Sequence, residues 1–361
     1  MKILIAITIT VILACLITGC KKDNNGFEHG PLPVMGKKYA WVCGEPDSTG
    51  YGMLLFSKDG GETWVRQGVG TPEFFGVNFL DIWAIDENTV WVVGADNTVL
   101  KTTDGGQSWI KVDLSFNPSN PALYSISVSN KTSVWISGEN GTVYNSTDEG
   151  NSWTMCDTTF FDKAFLQGIC AINQNEIYVA GGIDLGGSMR GYIAYTLDGG
   201  VTWDTVTPEN NFNRYEWIGV CAYGNSIVVY GSTSHYIVSI DGGITWENDS
   251  IPNTGGGFGG ADINHLIMIN SQVWWGALDL GQVYITKDGG ANWTQQQTVG
   301  ISQFFMLGFD AFDNNCAISV GAQAGFVNDC PIIKTSNGGV SWEQKYTSTN
   351  ASLHKVTFIK D

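Results

Sequence analysis

Short apolar runs separated by polar, glycine-containing turns recur along this chain, and no long stretch carries helical periodicity. Phe79-Leu80-Asp81-Ile82-Trp83-Ala84-Ile85-Asp86 predicts one strand and Val90-Trp91-Val92-Val93-Gly94 a second. Thr98-Val99-Leu100-Lys101-Thr102 predicts a third, and Trp109-Ile110-Lys111-Val112 a fourth. The same order returns at 124–129, 134–138, 142–146 and 153–156, then at 169–173, 177–181, 192–196 and 203–206. The alternation is imperfect, with near-continuous apolar inner runs, as expected of strands covered on both faces by neighbouring sheets.

Between the third and fourth runs stands a Ser/Thr-x-Asp-Gly-Gly-x-Ser/Thr-Trp element or a close variant. It begins at Ser57, Thr102, Ser146, Thr196, Ser239, Thr286 and Thr335. A period of roughly 40–50 residues built from short strands is the signature of a β-propeller with one blade per repeat. Asp-Gly favours a tight hairpin, because glycine takes positive φ at no steric cost, and the Asp carboxylate accepts hydrogen bonds from its own turn. The Trp opens the next strand and buries its ring between hairpins. The pairs read as structural staples are Asp59 and Trp64, Asp104 and Trp109, Asp148 and Trp153, and Asp198 and Trp203. The remainder are Asp241 and Trp246, Asp288 and Trp293, and Asn337 and Trp342. Two copies drift, Glu149 replacing the first Gly and Asn337 replacing Asp. Catalytic groups do not tolerate such drift within one chain, whereas redundant turns do.

The chain ends provide a separate check. Tyr39-Ala40-Trp41-Val42-Cys43-Gly44 matches the second strand of the other repeats, so the first blade lacks an inner strand of its own. After the seventh repeat one run remains, Leu353-His354-Lys355-Val356-Thr357-Phe358-Ile359. It has the inner-strand pattern and is expected to complete blade one, which closes the ring and removes an exposed sheet edge. The expected fold is all-β, a single seven-bladed propeller of four-stranded blades over residues 37–361.

The N-terminus changes the picture of where the propeller works. Met1-Lys2 precedes an apolar run at 3–16, too short to span as a mature helix, which reads as a signal-peptide core within 1–19. It ends at Ile17-Thr18-Gly19-Cys20, which resembles a bacterial lipobox and implies a lipidated Cys20. Residues 20–36 are then a lipidated cysteine and a flexible tether, and the protein is expected in the cell envelope, anchored to the outer membrane, facing either the periplasm or the exterior. With 35 acidic against 18 basic residues the net charge is −17, which argues against nucleic acid and anionic lipid as partners. The membrane contact expected is the lipid alone, on a monomer.

Six cysteines follow the leader: Cys43, Cys156, Cys170, Cys221, Cys316 and Cys330. Cys170 and Cys221 occupy matching inner-strand places and read as small packing residues. Cys316 and Cys330 flank an insertion in blade seven and are the preferred pair for a disulfide. The four histidines are scattered over separate segments, no metal-ligand spacing is present, and no cofactor is expected.

The run from Val90 through Gly106, with its Trp-Val-Val-Gly strand and Asp-Gly-Gly turn, resembles the Asp-box (BNR-like) propellers. Among these it is most similar to the family of the photosystem II stability and assembly factor, over roughly residues 39–361. That resemblance implies a non-enzymatic seven-bladed propeller that binds a partner polypeptide during assembly of a membrane complex. The family's arginine-rich patch has thin support, because the only arginines are Arg66, Arg190 and Arg214. Sialidases and xyloglucanases also carry Asp boxes. A sialidase needs three convergent arginines around a substrate carboxylate, yet Arg66 follows the first box in an outer strand. Xyloglucanases cut between two propellers, and the repeats here make one. The alternative to protein recognition is a glycan-binding or glycoside-hydrolase lipoprotein, whose chemistry would need two suitably spaced carboxylates.

Strand order puts the Asp-box turns on one face. The connections between blades and between second and third strands lie on the other. The latter face carries the long irregular segments at 70–78, 115–121, 183–190, 208–216, 252–261 and 322–329, where binding residues concentrate. Arg190 and the run Arg214-Tyr215-Glu216-Trp217 are expected in one sector of it. Arg190, Arg214, Tyr215 and Trp217 have the composition of an interaction hot spot, although Tyr215 and Trp217 also suit packing at an inner-strand entry. The pairs Phe74-Phe75, Phe160-Phe161 and Phe304-Phe305 read as core plugs ahead of inner strands.

Overall fold

A computed structural model describes residues 38–359 except 115, 116, 118, 157–160, 162, 185, 187, 188, 207–214, 253–259, 297–303 and 324–328. The leader, Cys20 and the tether lie outside the described residues. Lys38–Asp361 is one compact unit. Within it the strands form seven antiparallel four-stranded sheets, each ordered from the axis outward. Blade two is typical, with strands Phe79–Ala84, Val90–Gly94, Thr98–Thr102 and Ile110–Lys111. Blade one takes Leu353–Phe358 as its inner strand, paired to Ala40–Pro46 with Val42 opposite Val356. The two ends of the repeat array therefore meet in one sheet, as the leftover run predicts.

Each Asp box is a closed hydrogen-bonded turn. In box two the Thr102 hydroxyl donates to Asp104 Oδ1 at 2.8 Å and accepts from Gly106 N at 3.0 Å. Ser108 donates to the same carboxylate twice, through N at 2.9 Å and Oγ at 2.6 Å. Asn337 keeps this pattern with a neutral amide, its Oδ1 accepting from Thr335 Oγ1 and Ser341 N, each at 3.0 Å, while Nδ2 donates to Ser341 Oγ. The charge is thus dispensable for the geometry.

The two glycines of the box have different duties. Gly105 (φ 70°) and Gly106 (φ 85°) both lie in the left-handed region. A Cβ on Gly106 would stand 2.7 Å from Cη2 of Trp41, a side chain of the preceding blade, while one on Gly105 would meet Glu87 O at 3.1 Å. The same seat is used by Gly150 on Trp91 (2.2 Å) and Gly200 on Trp135 (3.0 Å). The box Trp reinforces it edge-on: Trp41 against Trp109 at 6.0 Å between ring centroids, Trp91 against Trp153 at 5.9 Å, and Trp135 against Trp203 at 6.4 Å. Aromatic pairs of this kind contribute about 0.5–1.5 kcal/mol beyond area burial. Glu149 at the first-glycine position adopts φ 61°, a strained choice for a side chain, and Lys101 of blade two donates to its carbonyl at 2.7 Å.

The inner strands carry a feature not read in the sequence. In every blade the pairing of the first two strands shifts register near the start of the inner strand, as between Phe79 and Asp81, Leu123 and Ser125, Trp217 and Gly219, and Ile263 and His265. Bulges re-aim side chains, and seven strands converging on one axis leave little room. A Cβ on Gly308 would lie 2.7 Å from Lys355 Cα, and one on Gly168 2.6 Å from Gly219 Cα.

Some boundaries differ from the sequence reading. The outer strands are shorter, with Ile110–Lys111 and Asp204–Thr205 only two residues each, because the box turn occupies the preceding positions. Blade four is longer: its inner strand is Ala164–Ala171, and Ile177–Asp184 pairs with Met189–Thr196 as far as Asp184 opposite Met189. The expected loop at 183–190 is therefore largely a hairpin. All six cysteines are thiols, which overturns the Cys316–Cys330 bridge. Ala317 pairs with Thr335, so Cys316 and Cys330 sit at opposite ends of a strand pair, on the order of 20 Å apart at 3.3 Å per residue. Of the paired phenylalanines, Phe74 and Phe161 are fully buried plugs, whereas Phe75 and Phe305 are exposed; Phe160 is outside the described residues.

The boxes make stability acid-sensitive. Hydrogen bonds from the Thr202 hydroxyl and amide hold the Asp198 carboxyl down at about 2, and Thr245 does the same for Asp241. A carboxyl depressed in the folded state stabilises it above the unfolded value near 3.9, and that contribution is lost as pH falls through about 2. The double variant Asp198→Asn/Asp241→Asn copies the amide that Asn337 already supplies in box seven, and it is expected to fold. Its urea-unfolding free energy is expected to fall less than wild type's between pH 4.5 and 2.5; an equal fall would contradict the assignment.

Candidate functional site

The register shift puts one residue of each inner strand at a common level near the mouth of the axis: Asp81, Ser125, Gly168, Gly219, His265, Gly308 and Lys355. Glycine holds this level in blades four, five and seven, where backbones crowd. Charge holds it in blades one and two. The level borders a cavity of about 640 Å³ on the axis, lined by all seven inner strands. The lining extends from Tyr124, Gln167, Asn264 and His354 at the loop end to Asn130 and Lys131 at the box end.

Asp81, 3% exposed, is the hub of this ring. Its Oδ1 accepts from Ile82 N at 2.8 Å; its Oδ2 accepts from Ser125 Oγ and Ile126 N of blade three, both at 3.0 Å. Lys355 Nζ lies 3.7 Å from Oδ1 and 3.3 Å from His265 Nδ1, which is also 3.3 Å from the Tyr230 hydroxyl. Burial raises the Tyr230 hydroxyl far above its ordinary range, so it stays protonated. Similar ties join other blades: Ala171 N donates to Ser127 Oγ at 3.0 Å and Phe358 N to Asp310 Oδ2 at 2.7 Å. Nothing within a single repeat announces this cluster. The one sequence signal is Asp81 and Lys355 at a register place that other repeats fill with small or polar residues.

Around the mouth, carboxylates are engaged by the fold. Glu139 accepts from Ala122 N and the Tyr124 hydroxyl, both at 3.0 Å, and Glu216 from Gln167 Nε2 at 2.6 Å. His354 beside Glu45 holds that carboxyl down at about 2. Asp279 moves the other way, raised chiefly by burial, with Asp262 adding to it.

The expected sector is built from blades four and five. Arg190 pairs with Ile183 at the turn end of the hairpin and is exposed. The adjoining Gly191 packs on Tyr215 and Trp217, where a Cβ would meet Tyr215 O at 2.2 Å and Trp217 Nε1 at 2.7 Å. Tyr215 is half-buried, stacks on His235 with centroids 3.9 Å apart, and meets Trp217 at 6.2 Å. Trp217 is 1% exposed and serves as the buried support of Tyr215. Arg214 lies outside the described residues. Arg66 is committed elsewhere, donating to Asp47 Oδ2 at 3.3 Å and Tyr51 O at 2.9 Å.

Replacing Asp81 by alanine is expected to strand three donors and an ammonium, lowering unfolding free energy by about 3–5 kcal/mol. Asp81→Asn, which keeps an acceptor, is expected to cost less. Chemical denaturation checks both, and an alanine cost under about 1 kcal/mol would contradict the role of hub.

Residues 71–160 match the family model of the photosynthesis system II assembly factor YCF48. No curated protein matches the chain. Among solved structures, YCF48 bound to D1 peptide is similar with a TM-score of 0.58 at 20% identity, over 74% of this chain and 81% of that one. YCF48 from Cyanidioschyzon merolae gives 0.58 at 15%, over 85% and 97%. An ancestral GH74 enzyme gives 0.55 at 18%, covering 78% of this chain but only 38% of the enzyme. Such identities carry the fold alone. The chain is a seven-bladed Asp-box propeller that resembles, in its repeat sequence and its architecture, the photosystem II assembly factor YCF48.

Proposed function

We propose that this protein is a non-catalytic, lipid-anchored scaffold or assembly factor that binds a partner polypeptide on its loop face, around the channel mouth. The observation that carries the reading is the state of the ring at that mouth. Asp81 accepts three backbone and hydroxyl donors and faces Lys355. A carboxylate so engaged serves as a tie between blades rather than as a base or nucleophile. The family match and the peptide carried by a similar propeller favour a polypeptide ligand. On the loop face, exposed Arg190 on the blade-four hairpin and stacked Tyr215 at the entry to the blade-five inner strand offer a cationic and an aromatic group, a pairing suited to recognition. The partner is a component of the envelope in which this protein is anchored; the photosynthetic polypeptide belongs to the relative. The anchor rests on Ile17-Thr18-Gly19-Cys20, and Cys20→Ser is the variant that removes it.

The test is capture from detergent-solubilised envelope by the immobilised chain, run beside an assay for xyloglucan hydrolysis. A discrete partner retained by wild type is expected to be weakened about tenfold by Arg190→Ala/Tyr215→Ala, with no sugar released. Hydrolysis abolished by one carboxylate substitution would transfer the protein to the glycan-active class. Undiminished capture by the double variant would remove the sector. Metabolic labelling with palmitate is expected to mark wild type and not Cys20→Ser.

A further inference from the structure

The box face carries an irregularity of its own. Two positions flank the carboxylate of each box, one before it and one three residues after. In boxes one, two and three they are Lys58 and Glu62, Thr103 and Gln107, and Thr147 and Asn151. In boxes four and five they are Leu197 and Val201, and Ile240 and Ile244. These four aliphatic side chains are 62%, 81%, 75% and 80% exposed. The turn does not require them, since polar residues serve in boxes one to three; among the other boxes only box seven carries one large aliphatic there, Val340, 76% exposed. The two boxes belong to adjacent blades, and box five docks on blade four: a Cβ on Gly243 would be 2.3 Å from the Tyr178 hydroxyl, and Trp246 packs on the same ring at 6.2 Å.

The electrostatics of these two blades have one sign, and the exposed lysines of the box face nearest to them, Lys131 and Lys287, belong to the flanking blades. Between Lys163 and Lys287 the only lysines or arginines are Arg190 and Arg214, and Arg190 stands at the other face. Box four and box five each display a carboxylate; beside them Glu247 is exposed and Glu176 half-buried. We propose that the tips of boxes four and five form a second docking surface. Its occupant is a polypeptide presenting aliphatic residues flanked by lysine or arginine. Charge complementarity selects this partner. An anionic lipid surface is repelled by the acidic rim, and a second copy at net charge −17 sets acid against acid. The inference is independent of the loop-face reading and stands or falls separately.

The probes are two fluorescein-labelled twelve-residue peptides, one alternating leucine with lysine and one leucine with glutamate. Anisotropy is measured with the full chain on phosphatidylcholine nanodiscs. The leucine–lysine peptide is expected to bind and the leucine–glutamate peptide not to bind. Leu197→Ser/Val201→Ser/Ile240→Ser/Ile244→Ser is expected to weaken binding by about tenfold or more, and the milder Val201→Ser/Ile244→Ser by about threefold. Serine at Lys58, Glu62, Thr103 and Gln107 leaves it unchanged. Equal binding by the quadruple variant with an unaltered melting temperature would overturn the proposal, as would equal loss in the control variant. Wild-type binding to phosphatidylglycerol vesicles that the quadruple variant loses would overturn it in favour of lipid.

Discussion

The seat of the box's second glycine on a side chain of the preceding blade, an aromatic one in five boxes of seven, is the contact on which the ring depends. Within a blade, hydrogen-bonded ladders are sufficient. Between blades there is no ladder, and cohesion has to come from side chains meeting across the gap. Gly106 over Trp41, Gly150 over Trp91 and Gly200 over Trp135 bring the turn close enough for Trp109, Trp153 and Trp203 to reach the same rings edge-on. Where blade five has Val228 at the equivalent place, Tyr236 fills the gap from the neighbouring strand and meets Gly290 and Trp293. Blade seven offers Ile318 to Gly61, which closes the ring with an aliphatic contact. At the axis, hydrogen bonds to Asp81, Ser127 and Asp310 add ties between blades two and three, three and four, and seven and one.

The same contact explains why some features were legible in the sequence and others were not. Asp-Gly-Gly-x-Thr-Trp is local turn chemistry, so its recurrence gave blade number, order and the closing strand directly. Its pattern of drift also has a physical meaning: Glu149 and Asn337 sit where a side chain or a neutral amide fits, whereas the second glycine is never replaced. The inner-strand bulges were not legible, because crowding at the axis is a property of seven strands together. Asp81, His265 and Lys355 are far apart along the chain and meet only after closure. Blade four's hairpin extended through residues expected to loop, since Ile183 and Arg190 pair whatever their polarity. The Cys316–Cys330 expectation failed on register, which spacing alone does not reveal.

Function divides along the two faces in consequence. The box face is regular because every turn must dock, and its exceptions stand out against that regularity at Leu197, Val201, Ile240 and Ile244. The loop face is released from that duty and varies in length and composition, with Arg190 on the blade-four hairpin and Tyr215 at the entry to the blade-five inner strand. The axis between them is held by carboxylates already engaged. The proposed scaffold role rests on the blades being locked together at the boxes.

That lock is tested most directly by alanine at each glycine of one box. Both substitutions impose left-handed strain of about 1–2 kcal/mol, but only Gly106→Ala also drives a methyl into Trp41. Urea unfolding is expected to show Gly106→Ala less stable than Gly105→Ala by about 1–3 kcal/mol, the usual cost of overpacking. Equal stability of the two variants would contradict the account.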